Sequence, residues 1–334
     1  MLMLSMSVGA SEITVYMYSE YIDPAIAKEF EQTTGITVRI DVYEAQEEML
    51  AKMRSGGSSE YDVVVASDVI VPSLIKLGLV RELDQAKIPH RSNVADEFLD
   101  PEFDPGNAYS WPYQWGTVGL AFRKGTVDPR TVTWGAIFDP ALQPGPFMMM
   151  DEMRTQMAIA LLHLRKSMNA HAAADLKAAG DLLIATKKSG KCLGFAGGVA
   201  GLEKVLAGEA ALAVVYNGDA VRAMSKQANL DFVVPDDGGV IAVDNLLVCA
   251  KAPNPDGAHA FIDYLLDARI GAQLSAFNHY GTPNKASREL LPKSELANYA
   301  IYPPERVMRK LEYLQDVGAD AKLYDEVWTA VKSR

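Results

Sequence analysis

Histidine, cysteine and glycine are the residues through which this chain would most readily do chemistry, and none is spaced for it. The five histidines, His90, His163, His171, His259 and His279, are scattered. None stands four residues from another, so no helix face presents the paired imidazoles of a zinc site. Two cysteines, Cys192 and Cys249, are too few for a disulfide framework, and no metal-ligand spacing surrounds them. GxSxG and HExxH motifs are absent. The run GFAGGVAG at 194–201 is glycine-rich, but it is not a GxGxxG turn after an opening strand. Gly190-Lys191 leads into Cys192, where a phosphate-binding loop needs Ser or Thr for magnesium. Carboxylates remain. Asp219 and Asp244 follow apolar, strand-like runs, where an aspartate either caps the backbone or faces a ligand. No metal and no cofactor is expected.

Composition narrows the partners. The 334 residues are 49% hydrophobic and 22% charged, which is ordinary globular usage and argues against disorder or coiled coil. That length suits two hydrophobic cores better than one, since single cores stop growing at about 250–300 residues. Lys and Arg total 32 against 43 Asp and Glu, a net charge of −11. Such a field repels phosphate backbones and attracts small cations, so nucleic acid is not an expected partner.

The elements that would position these groups follow from periodicity. Residues 13–18 (ITVYMY) read as a strand. Asp23-Pro24 opens a helix as N-cap and first residue, and Gly35 closes it. Residues 36–42 (ITVRIDV) alternate as a strand, 44–55 read as a helix with Met49 and Met53 on one face, and 61–66 (YDVVVA) read as a buried parallel strand. This strand–helix alternation predicts a βαβ-type sheet covered by helices. Further on, helices are expected over 151–167, 172–187, 202–208, 258–277 and 305–333, and buried strands over 211–216 and 240–250. Residues 100–107 read as a loop, and 194–201 as a glycine-rich loop that opens a helix. Two α/β lobes without a flexible tether imply a chain that crosses between them more than once.

The first ten residues, MLMLSMSVGA, resemble the end of a secretory signal with a cut after Ala10, although the basic leader is missing. The other reading is an apolar tail with no address value. No later stretch approaches the roughly 20 apolar residues of a membrane span, so the chain is not expected to insert in a bilayer.

Several segments, in order, carry a family resemblance. VYMYSEYIDPAIAKEFEQTTGITVRIDVYEAQEEMLAKM and YDVVVAS are similar to the opening of bacterial periplasmic polyamine-binding proteins, the receptors of spermidine/putrescine ABC importers. WPYQWGTVGLAF, VVYNGDA, GGVIAVDNLLV, HYGTPNKA, IYPPERV and LQDVGA follow, with IYPPERV and the WTAVKS ending nearest the putrescine-type branch. The resemblance implies a type II periplasmic-binding-protein fold: two α/β lobes, each a mixed sheet covered by helices, joined by two hinge crossings and closing around a ligand. It places lobe 1 at 12–117 and 243–288, lobe 2 at 118–242 and 289–334, and leaves 1–11 as signal remnant or tail. It further implies a small-molecule amine ligand, an ABC permease as partner, a periplasmic location, a monomer and no catalytic cycle.

A polyamine is a string of ammonium groups on methylenes, so its site needs carboxylates at the ends and aromatic faces between them. The resemblance assigns Tyr18 to a family tryptophan position and Tyr21 to a tyrosine position. Ser67, Asp151, Asp219, Asp244 and Tyr280 match polar or aromatic site residues, Tyr216 replaces a second tryptophan, and Gln315 matches a spermidine-branch glutamine. Ala242 occupies a further tryptophan position, which weakens the expected cation–π grip. Arg154 stands where the family has glutamate, with Glu152 two residues away to compensate. Two readings of Arg154 are open. It receives an anionic pole of the ligand, or it pairs with Asp151 or Glu152 and faces solvent. The first makes the ligand a zwitterionic amino acid or ω-amino acid. A lyase or transferase using Asp151, Asp219 and Asp244 for acid–base work is the alternative outside this class, and a sensor that hands its ligand to a signalling partner is another.

Overall fold

Asp23 shows how directly local sequence sets this fold. Its carboxylate accepts the Ala25 N–H at 2.9 Å, Pro24 begins the helix Pro24–Thr34, and Gly35 ends it in the left-handed region (φ 73°) with its N–H on the Glu31 carbonyl. A computed structural model describes residues 11–19, 21–43 and 46–334, apart from the side chains of Glu47 and Ala319. The expected signal remnant at 1–10 and the opening of the 44–55 helix at Glu44 and Ala45 lie outside the described residues. Ser11, assigned above to the tail, is the first residue of a strand.

The strands are β1 (Ser11–Tyr18), β2 (Ile36–Tyr43), β3 (Val63–Ser67), β4 (Ser110–Arg123), β5 (Phe147–Met150), β6 (Cys192–Ala196), β7 (Leu212–Tyr216), β8 (Leu230–Val233), β9 (Gly239–Val248) and β10 (Leu311–Tyr313). The chain groups into two compact units. One holds residues up to Trp115, Val243–Asn278 and Thr282–Leu291, and the other holds Gly116–Ala242, His279–Gly281 and Pro292–Arg334. The chain therefore leaves the first unit within β4 and re-enters it within β9.

In the first unit β1 lies between β2 and β3, parallel to both, and β3 pairs antiparallel with β9, with Ser67 opposite Asp244. β3 is buried along its whole length, which explains its unbroken apolar run. Met49 and Met53 are both buried, packed with Tyr16, Tyr43, Tyr61 and Leu247. The single helix expected over 258–277 is two helices, Pro255–Leu265 and Ala268–Asn278. Asp267 breaks it by accepting the N–H groups of Arg269 and Ile270 at 2.9 and 3.2 Å.

In the second unit β4 pairs antiparallel with β7 and β8, while β5 runs parallel to β6 and β7. β10 runs parallel to the start of β9. Residues 192–196 form β6, so the glycine-rich stretch expected to be a loop begins as strand and continues as the helix Gly198–Leu206. The helix expected over 305–333 is a short helix Glu305–Met308, then β10, then the helix Ala321–Ser333. Gly318 (φ 52°) sits between the last two. Cys249 in the first unit and Cys192 in the second are free thiols. No helix among the described residues is long and apolar enough to cross a membrane.

Candidate functional site

In the first unit, four of the expected residues converge at the C-terminal end of the parallel strands. Tyr18 ends β1, Ser67 ends β3, Asp244 lies opposite Ser67 on β9, and Tyr21 stands in the turn after β1. The Tyr21 hydroxyl donates to Asp244 Oδ2. Its ring meets Tyr18 edge-on at 5.5 Å and Tyr113 at 5.6 Å, and its carbonyl accepts the Tyr113 hydroxyl at 2.8 Å. Tyr18 leans on Tyr43 at 4.4 Å, and the Tyr43 hydroxyl is tied to the Val65 carbonyl at 2.6 Å. The outcome is a half-buried carboxylate framed by tyrosine rings. Burial pushes the Asp244 carboxyl up to about 6, against the stabilising hydrogen bond from Tyr21. Burial, and then the neighbouring Asp244 charge, raises Tyr43 and Tyr113 far above their ordinary range, so both stay neutral.

A residue missed by the sequence reading belongs to this group. Asp68 is 2% exposed. Its Oδ1 accepts the Ser67 hydroxyl at 2.7 Å and the Val243 N–H at 3.4 Å, while its N–H donates to the Val243 carbonyl at 2.8 Å. Oδ2 is buried without a hydrogen-bond partner. Burial pushes this carboxyl up to about 7, and Asp244 adds to the rise. Its one sequence signal is position: a carboxylate directly after an apolar strand.

The second unit holds the other expected residues. Tyr216 ends β7 and donates its hydroxyl to Glu152. Asp219 lies in the first turn of the helix Asn217–Met224, where Arg222 Nη2 donates to it at 2.6 Å. Burial raises the Asp219 carboxyl, and Arg222 opposes the rise. Tyr280 packs on glycines in the same unit: a Cβ added at Gly218 would lie 2.2 Å from Tyr280 Cζ. Gly218 therefore shapes this setting, although it carries no chemistry of its own.

Asp151, Arg154 and Gln315 have other partners. Both Asp151 carboxylate oxygens accept Lys332 Nζ at 2.7 Å, and Lys332 also sits 4.9 Å from the Phe195 ring and 5.8 Å from the Trp328 ring. Arg154 does not make the pair with Asp151 or Glu152 that one of its two readings expected. Its guanidinium lies 4.4 Å over Tyr324, and Nη2 donates to Asn169 Oδ1 at 3.1 Å and to the Gln315 carbonyl at 3.0 Å. It is partly buried and pairs with neither Asp151 nor Glu152, because Lys332 takes the first and Tyr216 the second. Gln315 contributes its backbone there: its N–H donates to Asn169 Oδ1 at 2.8 Å. Among the described residues no cluster of His, Cys, Asp and Glu is arranged to hold a metal.

Residues 25–304 match the sequence profile of the bacterial extracellular solute-binding protein family. The chain is 31% identical over 323 residues to the spermidine/putrescine-binding periplasmic protein of Escherichia coli, covering 96% of this chain and 92% of that one. It is 30% identical over 339 residues to a putrescine/cadaverine-binding protein of Pseudomonas aeruginosa, covering 98% and 95%. Among solved structures, a putative spermidine/putrescine ABC transporter from Listeria monocytogenes aligns with a TM-score of 0.83 at 32% identity, over 96% of this chain and 99% of that one. The spermidine/putrescine substrate-binding protein of Streptococcus pneumoniae aligns with a TM-score of 0.85 at 27% identity, over 96% and 100%. The two-lobed α/β fold expected from the sequence is the fold of these neighbours.

Proposed function

The chain belongs to the bacterial extracellular solute-binding protein family, and from that premise we propose that it captures a polyamine of the putrescine–spermidine class and delivers it to an ABC importer. The observation that carries this reading is Asp244, a carboxylate set among tyrosine rings with no cationic side chain paired to it among the described residues. Such a group lacks a counter-ion that a primary ammonium supplies, and the ring faces add cation–π attraction of about 0.5–2 kcal/mol each.

We assign the ligand's ammonium contacts to Asp244 with Tyr18, Tyr21 and Ser67 in the first unit, and to Asp219 with Tyr216 and Tyr280 in the second. Asp151 joins them where the ligand displaces Lys332. We assign Arg154 and Gln315 to the scaffold, since the guanidinium lies over Tyr324 and its Nη2 donates to Asn169 and to the backbone of residue 315, while Nε and Nη1 are buried without a hydrogen-bond partner. The likeness to spermidine/putrescine- and putrescine/cadaverine-binding relatives favours a di- or polyamine over a zwitterion. The role is binding without catalysis, carried out by a monomer in the periplasm, with permease subunits as the partner.

Thermal denaturation of the protein with putrescine, cadaverine, spermidine and an ω-amino acid tests the assignment. A ligand at 100 times its Kd stabilises by about 2.7 kcal/mol, which is readily seen as a rise in Tm. The expected result is a rise with the amines and none with the ω-amino acid. A folded protein unmoved by every amine overturns the proposal.

A further inference from the structure

Asp68 gives the ammonium group a second carboxyl that the proposed ligand set above does not use. It is buried, it stands next to Ser67, and its backbone and side chain are both locked to Val243, the residue before Asp244. One of its oxygens has no hydrogen-bond partner. No lysine, arginine or histidine pairs with Asp68 or Asp244 among the described residues. The titratable groups around the two are tyrosines. Tyr21 donates to Asp244, and Tyr43 and Tyr113 flank it, each kept neutral by burial. Asp68 is buried, Asp244 is half-buried, and the Asp244 charge opposes ionisation of Asp68, so without a counter-ion the two do not both ionise without a large desolvation cost.

We propose that Asp68 is a positioning residue that holds the proton of this pair in the amine-free protein, and that an arriving ammonium ionises it. The step is a simple exchange. The ligand keeps its own protons as R–NH3+, the Asp68 O–H bond breaks, and that proton passes to solvent. The two carboxylates then share the ligand's positive charge, and a neutral end group does not drive the exchange. The rise of Asp68 to about 7 and of Asp244 to about 6 agrees with this. The inference rests on the amine-binding reading above and adds its proton coupling.

Calorimetric titration of the intact protein with putrescine, in buffers of different ionisation enthalpy, counts the protons. About half a proton should leave per ligand near pH 7, falling towards zero about two units higher. Asp68→Asn should remove most of the release near pH 7 and flatten the pH profile of affinity above about pH 6, while binding persists, about tenfold weaker. Binding by the wild type with no proton released from about pH 6 to 8 overturns the inference but leaves the amine reading standing. The same inference is tested without ligand by the 13C carboxyl resonance of Asp68 in the amine-free protein. Titration near 4, the ordinary range, overturns it whatever the amines do. Absence of any amine binding sinks the functional reading, and the coupling with it.

Discussion

The phenolic hydroxyl of Tyr21 donates to the carboxylate of Asp244, a residue 223 positions further along the chain. Asp244 is placed by β9 pairing with β3, and Tyr21 by the turn after β1, so three separate chain segments fix one hydrogen bond. Removing the charge should therefore cost more than removing the hydroxyl. Asp244→Asn is expected to weaken putrescine binding by about 100- to 1000-fold, equivalent to about 3–4 kcal/mol. Tyr21→Phe should weaken it about fivefold, near 1 kcal/mol, by removing the donor that stabilises the ionised Asp244 carboxylate. Calorimetry on both variants checks the order; an Asn variant that binds like wild type removes Asp244 from the site.

Stability of the amine-free protein should fall as pH rises from about 4 to 7, the reverse of ordinary acid denaturation. The sign follows from Asp68 and Asp244, raised to about 7 and about 6. Unfolded aspartates release their protons near 3.9, so across this window the folded state holds more protons. The contribution is fully present below about pH 4 and lost as pH passes the folded values. For Asp68 alone the linkage is on the order of 4 kcal/mol. Asp128, lowered to about 2 by Arg130, works in the opposite direction, but it is an exposed pair whose window lies below about pH 4. Urea unfolding at about pH 5 and about pH 8 measures the slope, and Asp68→Asn should remove most of it.

Gly218→Ala should harm both folding and binding. The added methyl would meet the Tyr280 ring at a distance that atoms do not tolerate, so the ring must shift. Overpacking of this kind costs about 1–3 kcal/mol. A lower Tm accompanied by weaker amine binding is expected. A lower Tm with unchanged affinity shows that Tyr280 does not touch the ligand.

Arg154→Met should separate scaffold from site. The variant loses a guanidinium stacked on Tyr324 and two hydrogen bonds, a stability cost of about 1–3 kcal/mol. Affinity for putrescine should stay within about threefold, and an ω-amino acid should bind no differently to variant and wild type. A change in ligand preference would return Arg154 to the site.

Local patterns in the sequence disclosed the elements but not the long-range pairing. The apolar run at 63–66 and the Asp23-Pro24…Gly35 frame correspond directly to β3 and to the first helix, because burial and capping act over a few residues. The break at Asp267 was hidden because Leu265, Leu266 and Ile270 continue an apolar helical pattern across an internal N-cap. β10 was hidden because its three residues become strand by pairing with Gly239–Ile241. Of the first-unit group, Tyr18, Tyr21, Ser67 and Asp244 came from the family likeness. Asp68 did not, since its importance arises from Val243 lying across the sheet. In the second unit the sequence does not show which cation each carboxylate holds. Nothing local indicates that Asp151 meets Lys332, 181 positions later.

That last contact carries a consequence of its own. Lys332 rests on a carboxylate beneath two aromatic rings, with about two-fifths of its side chain still in water. A single primary amine is thus accommodated on open surface by parts any protein owns. Discrimination among guests on this scaffold has to come from the interval between successive charges, and not from the recognition of one nitrogen.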